Sequence, residues 1–231
     1  MTTIASNLQA VRSSIAAAVA EAGRDANSVS LLAVSKTFPP AAVRAAYVAG
    51  QRCFAESYVQ EALEKIAVLQ DLPIEWHYIG PIQSNKTRPI AAHFAWVHSV
   101  DRLKIAERLA EQRPPHLPPL QLCLQVNISD ESSKSGVPPH EVDALAHAVA
   151  SLPRVQLRGL MAIPAPTPDI AAQRHAFARL RELRDRLNHA GLQLDTLSMG
   201  MSDDFAAAIA EGATIVRIGS AIFGARTYQP D

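Results

Sequence analysis

The chain has 231 residues, a length that suits one or two domains and falls within the range of a lone α/β barrel. Hydrophobic residues make up 48%, enough for a substantial core, which excludes a disordered chain. The 22 basic and 22 acidic residues cancel, leaving no basic excess to bind nucleic acid or an anionic membrane surface. Cys53 and Cys123 stand far apart in no C-x-x-C pattern, which argues against a disulfide scaffold or zinc site and for a reducing, cytoplasmic compartment. No apolar run approaches a membrane span.

Ile4, Leu8, Val11, Ile15 and Val19 recur at helical spacing, so the N-terminus reads as an amphipathic helix ending at Gly23 rather than a signal peptide. Val29 to Val34 is a nearly continuous apolar run, as in a strand buried on both faces. Pro39 and Pro40 then open a helix through Val48. Cys53 to Ala55 is a short strand and Val59 to Leu69 a helix; Glu75 to Ile79 is the third strand and Asn85 to His93 a helical piece. Trp96 to Val100 is the fourth strand, after which Asp101 is placed to cap a helix through Gln112. Beyond the proline-rich turn Pro114 to Pro119, Leu120 to Ile128 is the fifth strand and Pro138 to Leu152 a helix. Val155 to Ile163 is a strand, and Asp169 to Ala190 a long helix. Thr196 to Met199, a helix over Asp203 to Glu211, and Ile215 to Ile218 complete the series. Eight strand–helix alternations without a long linker predict a single domain over residues 1–231: a parallel (β/α)8 TIM-type barrel with an extra N-terminal helix. A doubly wound open sheet is the structural rival.

In such a barrel, function sits where strands end. The polar residues just after each apolar run are Ser35 and Lys36, Glu56 and Ser57, His77 and Gly80, Ser99, Asn127, Ser198 to Ser202, and Arg217 to Ser220, with Met161 among them. Lys36 follows Leu31-Leu32-Ala33-Val34, so its amine is expected at the barrel mouth. Partial desolvation there disfavours an ammonium and makes the amine a nucleophile toward aldehydes. A lysine that merely caps the barrel is the other reading. Ser198-Met199-Gly200-Met201-Ser202 and Arg217-Ile218-Gly219-Ser220 place small residues after the last two strands, where barrels often bind phosphate. Alternatively, these glycines only make tight turns. A Schiff-base lysine facing a phosphate cradle describes a phosphosugar aldolase or a pyridoxal phosphate protein.

At these residues the chain resembles the pyridoxal phosphate homeostasis protein family. The matching stretches are Leu31 to Thr37, Trp76 to Gly80 with Gln83 to Lys86, and Asn127 to Ser129 with Lys134 to Gly136. Leu197 to Asp203 and Val216 to Arg226 complete the set. The resemblance implies a barrel like the N-terminal domain of alanine racemase, with pyridoxal 5'-phosphate on Lys36. It implies that Ser202, Gly219 and Ser220 hold the phosphate, and that Arg217 faces the pyridine nitrogen. A permanently protonated guanidinium there keeps the nitrogen unprotonated and weakens the cofactor as an electron sink. Ser57, His77, Met161 and Ser198 are further candidates for the cofactor site, with His77 equally readable as a satisfied core or rim histidine; the resemblance suggests Lys134 as a secondary contact, against the reading of a solvated loop lysine.

Two departures stand out. The family reads glycine and asparagine where this chain has Ala55 and Ser57; serine is the shorter side chain, and alanine does not tolerate a left-handed backbone. His93 and His98 lack metal-ligand spacing, and no metal is assigned. The chain ends soon after its eighth strand, without the second domain that supplies alanine racemases with an opposing acid/base group. The expectation is therefore a non-enzymatic role in vitamin B6 homeostasis: a monomer that sequesters the cofactor and passes it transiently to apo-enzymes. The alternatives are a pyridoxal phosphate-dependent enzyme (racemase or decarboxylase type, with His77 or Tyr78 as acid/base) and a cofactor-free aldolase.

Overall fold

The computed structural model describes residues 3–129 and 135–225. Lys134, with Ser132, Ser133 and Arg226, lies outside the described residues. The chain opens with α1 (Ile4–Glu21), whose first turn is closed by a reciprocal Thr3–Ser6 capping box. The barrel follows as β1 (Ser30–Val34), α2 (Pro40–Val48), β2 (Cys53–Glu56), α3 (Val59–Val68) and β3 (Glu75–Tyr78). A 3₁₀ turn (Ser84–Lys86) leads into α4 (Thr87–His93), then β4 (Trp96–Val100), α5 (Leu103–Gln112), β5 (Leu120–Gln125) and α6 (Val142–Ala150). The remaining elements are β6 (Val155–Met161), α7 (Ile170–His189), β7 (Thr196–Ser198), α8 (Phe205–Ala210), β8 (Ile215–Ile218) and α9 (Ser220–Phe223).

The eight strands pair in chain order, all parallel, and β1 closes on β8 with Leu32 opposite Arg217. A closed barrel, not an open sheet, is the outcome. Closure leaves no unpaired strand edge, and the parallel order follows because each helix returns the chain to the same end. The core divides into two layers. Leu32, Val34, Ala55 and Ile215 pack inside the barrel, while a larger apolar layer fills the space between strands and helices. Helix α1 buries the expected face (Leu8, Val11, Ile15, Val19). Its Asn7 also donates to the carbonyl of Ile222 at 3.0 Å, tying it to α9.

Three expectations need correction. Asp101 does not cap α5: the N-cap is Arg102, without a side-chain bond, and Asp101 accepts from Arg102 Nη1 at 2.7 Å. The fifth strand stops at Gln125 rather than Ile128, because Val126 and Asn127 turn to bridge Val137. The following helix begins at Val142 rather than Pro138, since residues 138–141 are spent in turns.

Gly159 in β6 sits beside a register shift between β5 and β6, and a Cβ built on it collides with the carbonyl of Thr196. Gly159→Ala is expected to destabilise by about 3 kcal/mol, the upper end of overpacking costs, read as a lower urea midpoint at unchanged slope.

Candidate functional site

At the C-terminal ends of the strands lies a cavity of about 260 Å³. Seven of the nine expected residues line it: Lys36, Ser57, Met161, Ser202, Arg217, Gly219 and Ser220. Val34, Ile79, Ile163 and Met201 supply apolar wall, and Asp203 adds a solvent-exposed carboxylate. His77 and Ser198 are not lining residues. Both are buried, at 3% and 0% exposed.

Lys36 leaves the end of β1 just before Thr37, whose φ of 69° is unusual for a β-branched residue. A charged cluster fixes that turn. The amide of Thr37 donates to Glu61 Oε1 at 2.6 Å. Lys65 Nζ reaches Glu61 Oε1 at 2.5 Å, Glu56 Oε1 at 2.8 Å and the carbonyl of Ser35 at 2.7 Å. Ser35 Oγ donates to Glu56 Oε1 at 2.6 Å. Burial pushes the Glu56 carboxyl up, opposed chiefly by the charge of Lys65. Composition and motif gave no role to Lys65 or Glu61. The signal available was a lysine on the buried stripe of α3, one turn after Ala62.

Ala55 causes no backbone strain: it lies in β2, paired with Val34 and His77, in ordinary strand geometry. Ser57, short as it is, still reaches the cavity wall.

On the opposite wall, Gly200 has a φ of 95°, a conformation only glycine adopts cheaply, and its carbonyl accepts from the amide of Arg217 at 2.9 Å. A Cβ at Gly219 would press within 3.0 Å of the carbonyl of Val34, so the backbone there passes close and bare beside the cavity. Glycine and serine at this edge suit the close approach of an anion.

Arg217 is 4% exposed, and burial brings its pKa down to about 10, which leaves it a cation at neutral pH. Its Nη1 donates to the carbonyl and Oγ of Ser198 at 2.6 and 2.9 Å, and its Nη2 to the carbonyl of Ala162 at 2.9 Å. Ser198 Oγ lies 2.7 Å from His98 Nδ1, His98 Nε2 lies 2.9 Å from His77 Nδ1, and His77 Nε2 lies 2.9 Å from Glu75 Oε1. Burial holds both histidines below the ordinary value of 6.5, with Glu75 partly opposing this at His77.

A histidine buried neutral is protonated first in the unfolded chain, so its stabilisation is present above about pH 6.5 and lost as the pH falls. For each histidine that stays neutral, the slope approaches about 1.4 kcal/mol per pH unit once the pH is well below 6.5. Urea midpoints at about pH 7 and about pH 5.5 check it; equal midpoints would contradict the neutral pair.

Cys53, Glu75 and His77 also bring one ligand-type atom each within 4.8 Å of one another at the N-terminal ends of β2 and β3. Cys53 Sγ lies 3.5 Å from Glu75 Oε1, and burial pushes the thiol up to about 12. Glu75 thus already accepts from two neighbours, and the group reads as a hydrogen-bonded cluster.

The Alanine racemase, N-terminal domain family model matches residues 6–227. The pyridoxal phosphate homeostasis protein of Pseudomonas aeruginosa is 66% identical over 228 residues, covering 99% of this chain and 98% of that protein. The protein of the same name from Escherichia coli K12 is 54% identical over 235 residues, covering 99% of each. The chain belongs to the pyridoxal phosphate homeostasis protein family. Among solved structures, PipY of Synechococcus elongatus with pyridoxal phosphate bound matches with a TM-score of 0.80 at 42% identity, over 91% of this chain and 100% of that one. Alanine racemase from Corynebacterium glutamicum, at 17% identity and a TM-score of 0.70 over 94% of this chain and 62% of that one, shares the fold. Among the described residues of this family member, no helix is long and apolar enough to cross a membrane.

Proposed function

We propose that this chain binds pyridoxal 5'-phosphate for vitamin B6 homeostasis, held as a Schiff base on Lys36. The observation that carries this reading is the convergence of Lys36, Arg217 and the Ser202, Gly219 and Ser220 edge on one cavity. A reactive aldehyde needs an amine, the ring needs a partner for its nitrogen, and the phosphate needs donors. The PipY structure with the cofactor bound, and relatives named for pyridoxal phosphate homeostasis, support the same reading.

When bound, the cofactor supplies an aldehyde carbon and a conjugated ring that can accept electrons. The protein's own groups do the rest. Lys36 provides the covalent anchor, and its position is fixed by the Thr37 turn. The cationic Arg217 would donate to the ring nitrogen, which would hold that nitrogen unprotonated. Ser202, Ser220 and the backbone at Gly219 would hold the phosphate. Met161, Val34 and Ile79 would supply apolar wall for the ring, with Ser57 beside them.

The role is sequestration more than catalysis. The acid/base candidates of the enzyme reading are both engaged elsewhere. Tyr78 donates to the carbonyls of Ser57 and Pro81 at 3.1 Å each, with its phenol pushed up to about 12, and His77 lies outside the cavity lining. The chain acts as one domain over residues 1–231, as a cytoplasmic monomer, and passes the cofactor transiently to apo-enzymes.

The test is to load the purified protein with pyridoxal phosphate and follow its visible absorbance in the presence of a panel of amino acids. A stable band that borohydride removes, with no racemisation or decarboxylation, is the expected result. Steady turnover of any amino acid would return the enzyme reading. A protein that stays colourless, with lysine trapped by borohydride only after a phosphosugar is added, would favour the aldolase.

A further inference from the structure

Barrel interiors are usually packed with branched apolar side chains. Here a row of polar groups from four strands runs beneath the cavity: Arg217 on β8, Ser198 on β7, His98 on β4, and His77 and Glu75 on β3. Such a row is costly to bury unless each group is satisfied. Its two ends fix how it is satisfied. A guanidinium has only donors, and a carboxylate only accepts. Ser198 Oγ accepts from Arg217, and the acceptor that the described contacts offer its own buried proton is His98 Nδ1, so that proton is directed there. His98 then carries its proton on Nε2 and gives that hydrogen bond to His77 Nδ1. His77 carries its proton on Nε2 in turn, directed at Glu75. With the Ser198 proton on that side, every link runs the same way, and an imidazolium at either histidine would set donor against donor.

We propose that this row is a one-way hydrogen-bond relay that locks the Arg217 guanidinium against the cavity, with Ser198, His98 and His77 as positioning residues and Glu75 as the anchor. The carbonyl of Ala162 holds the second Nη, so the guanidinium plane is fixed from two sides. The stacking of His77 on Trp96, 5.5 Å between centroids and 5° from parallel, restrains the ring from turning. The depressed histidine pKa values agree with two neutral rings. What Arg217 touches rests on the cofactor reading; the direction of the relay does not, because it belongs to the protein without ligand.

Nitrogen-15 NMR of the ligand-free protein at neutral pH reads the tautomers directly. Both His77 and His98 are expected as neutral rings protonated on Nε2. A ring protonated on Nδ1, or an imidazolium, would overturn the relay. Ser198→Ala removes the acceptor that connects Arg217 to His98. It is expected to mix the His98 tautomers and to weaken pyridoxal phosphate binding about tenfold, the scale of one charge-assisted hydrogen bond, while Lys36 still forms its coloured adduct. Ser198→Thr keeps the hydroxyl and is expected to restore both readouts. Unchanged tautomers and affinity in Ser198→Ala would also overturn the proposal.

If Ser198→Ala does not fold, the half-exposed anchor gives the same test. Glu75→Leu is expected to release the tautomers and Glu75→Gln, which still offers a carbonyl, to hold them; identical spectra for the two would refute the relay. A protein with both Nε2 tautomers and no pyridoxal phosphate binding would remove the cofactor reading alone. One that binds the cofactor but carries a proton on Nδ1 would remove the relay alone.

Discussion

Lys65→Met is expected to destabilise the protein by about 3–5 kcal/mol, the range for removing one partner of a buried ion pair. Lys65 and Glu56 are 4% and 0% exposed at their side chains and meet at 2.8 Å. Among the described residues, Glu56 Oε2 lacks a hydrogen-bond partner, so without Lys65 the carboxylate keeps there only the hydroxyl of Ser35. The group then takes up a proton rather than remain an unpaired buried charge. Its pKa, raised in the folded state, rises further. A raised acid stabilises below its unfolded value and loses that contribution as the pH climbs through the folded value. The deficit of Lys65→Met against the parent therefore grows with pH. Glu56→Gln with Lys65→Met should cost less than the sum of the single changes, because the amide removes the charge that Lys65 balanced. Urea titrations of the three variants across pH give the measurement. Additive losses with no pH trend would mean that Lys65 acts through its aliphatic stem alone. The damage should reach the site as well, since Glu61 holds the amide of Thr37 and Lys65 holds Glu61.

Lys36→Ala is expected to abolish the visible band of the loaded protein and to weaken pyridoxal phosphate binding by at least about a hundredfold. The amine is the covalent anchor in the proposed site, whereas Arg217, Ser202, Gly219 and Ser220 remain to hold the ring and phosphate non-covalently. Residual weak binding without colour is thus the expected signature. Equilibrium dialysis with labelled pyridoxal phosphate separates the two readouts. Parental affinity in Lys36→Ala would show that the cofactor is held elsewhere.

The fold was largely legible because each strand is a short apolar run between helical patterns, and eight such repeats favour closure. What failed was local. Asp101 carried the right chemistry for a cap, but its carboxylate bonds the side chain of the true cap residue, Arg102. The apolar run past Gln125 looked like strand, yet Val126 leaves the sheet for a tertiary bridge to Val137 that no periodicity encodes. In the site, Lys36 was legible as a polar residue just past a buried strand, and Arg217 as a charge inside the last one. The partners that hold them were not. Ser198 and His98 stand 100 residues apart and meet only when the barrel closes, and Lys65 looks in sequence like an ordinary charge on an amphipathic helix. Which depth of the barrel His77 and Ser198 occupy is equally hidden in the sequence, because it depends on strand stagger.

The central claim, a covalent cofactor site on one named lysine, is tested most directly by loading the protein with pyridoxal phosphate, reducing it with borohydride, and mapping the modified peptide by mass spectrometry. The pyridoxyl group should sit on Lys36 alone. Modification instead at Lys65, Lys86, Lys104 or Lys134, or none at all, would contradict the site built here.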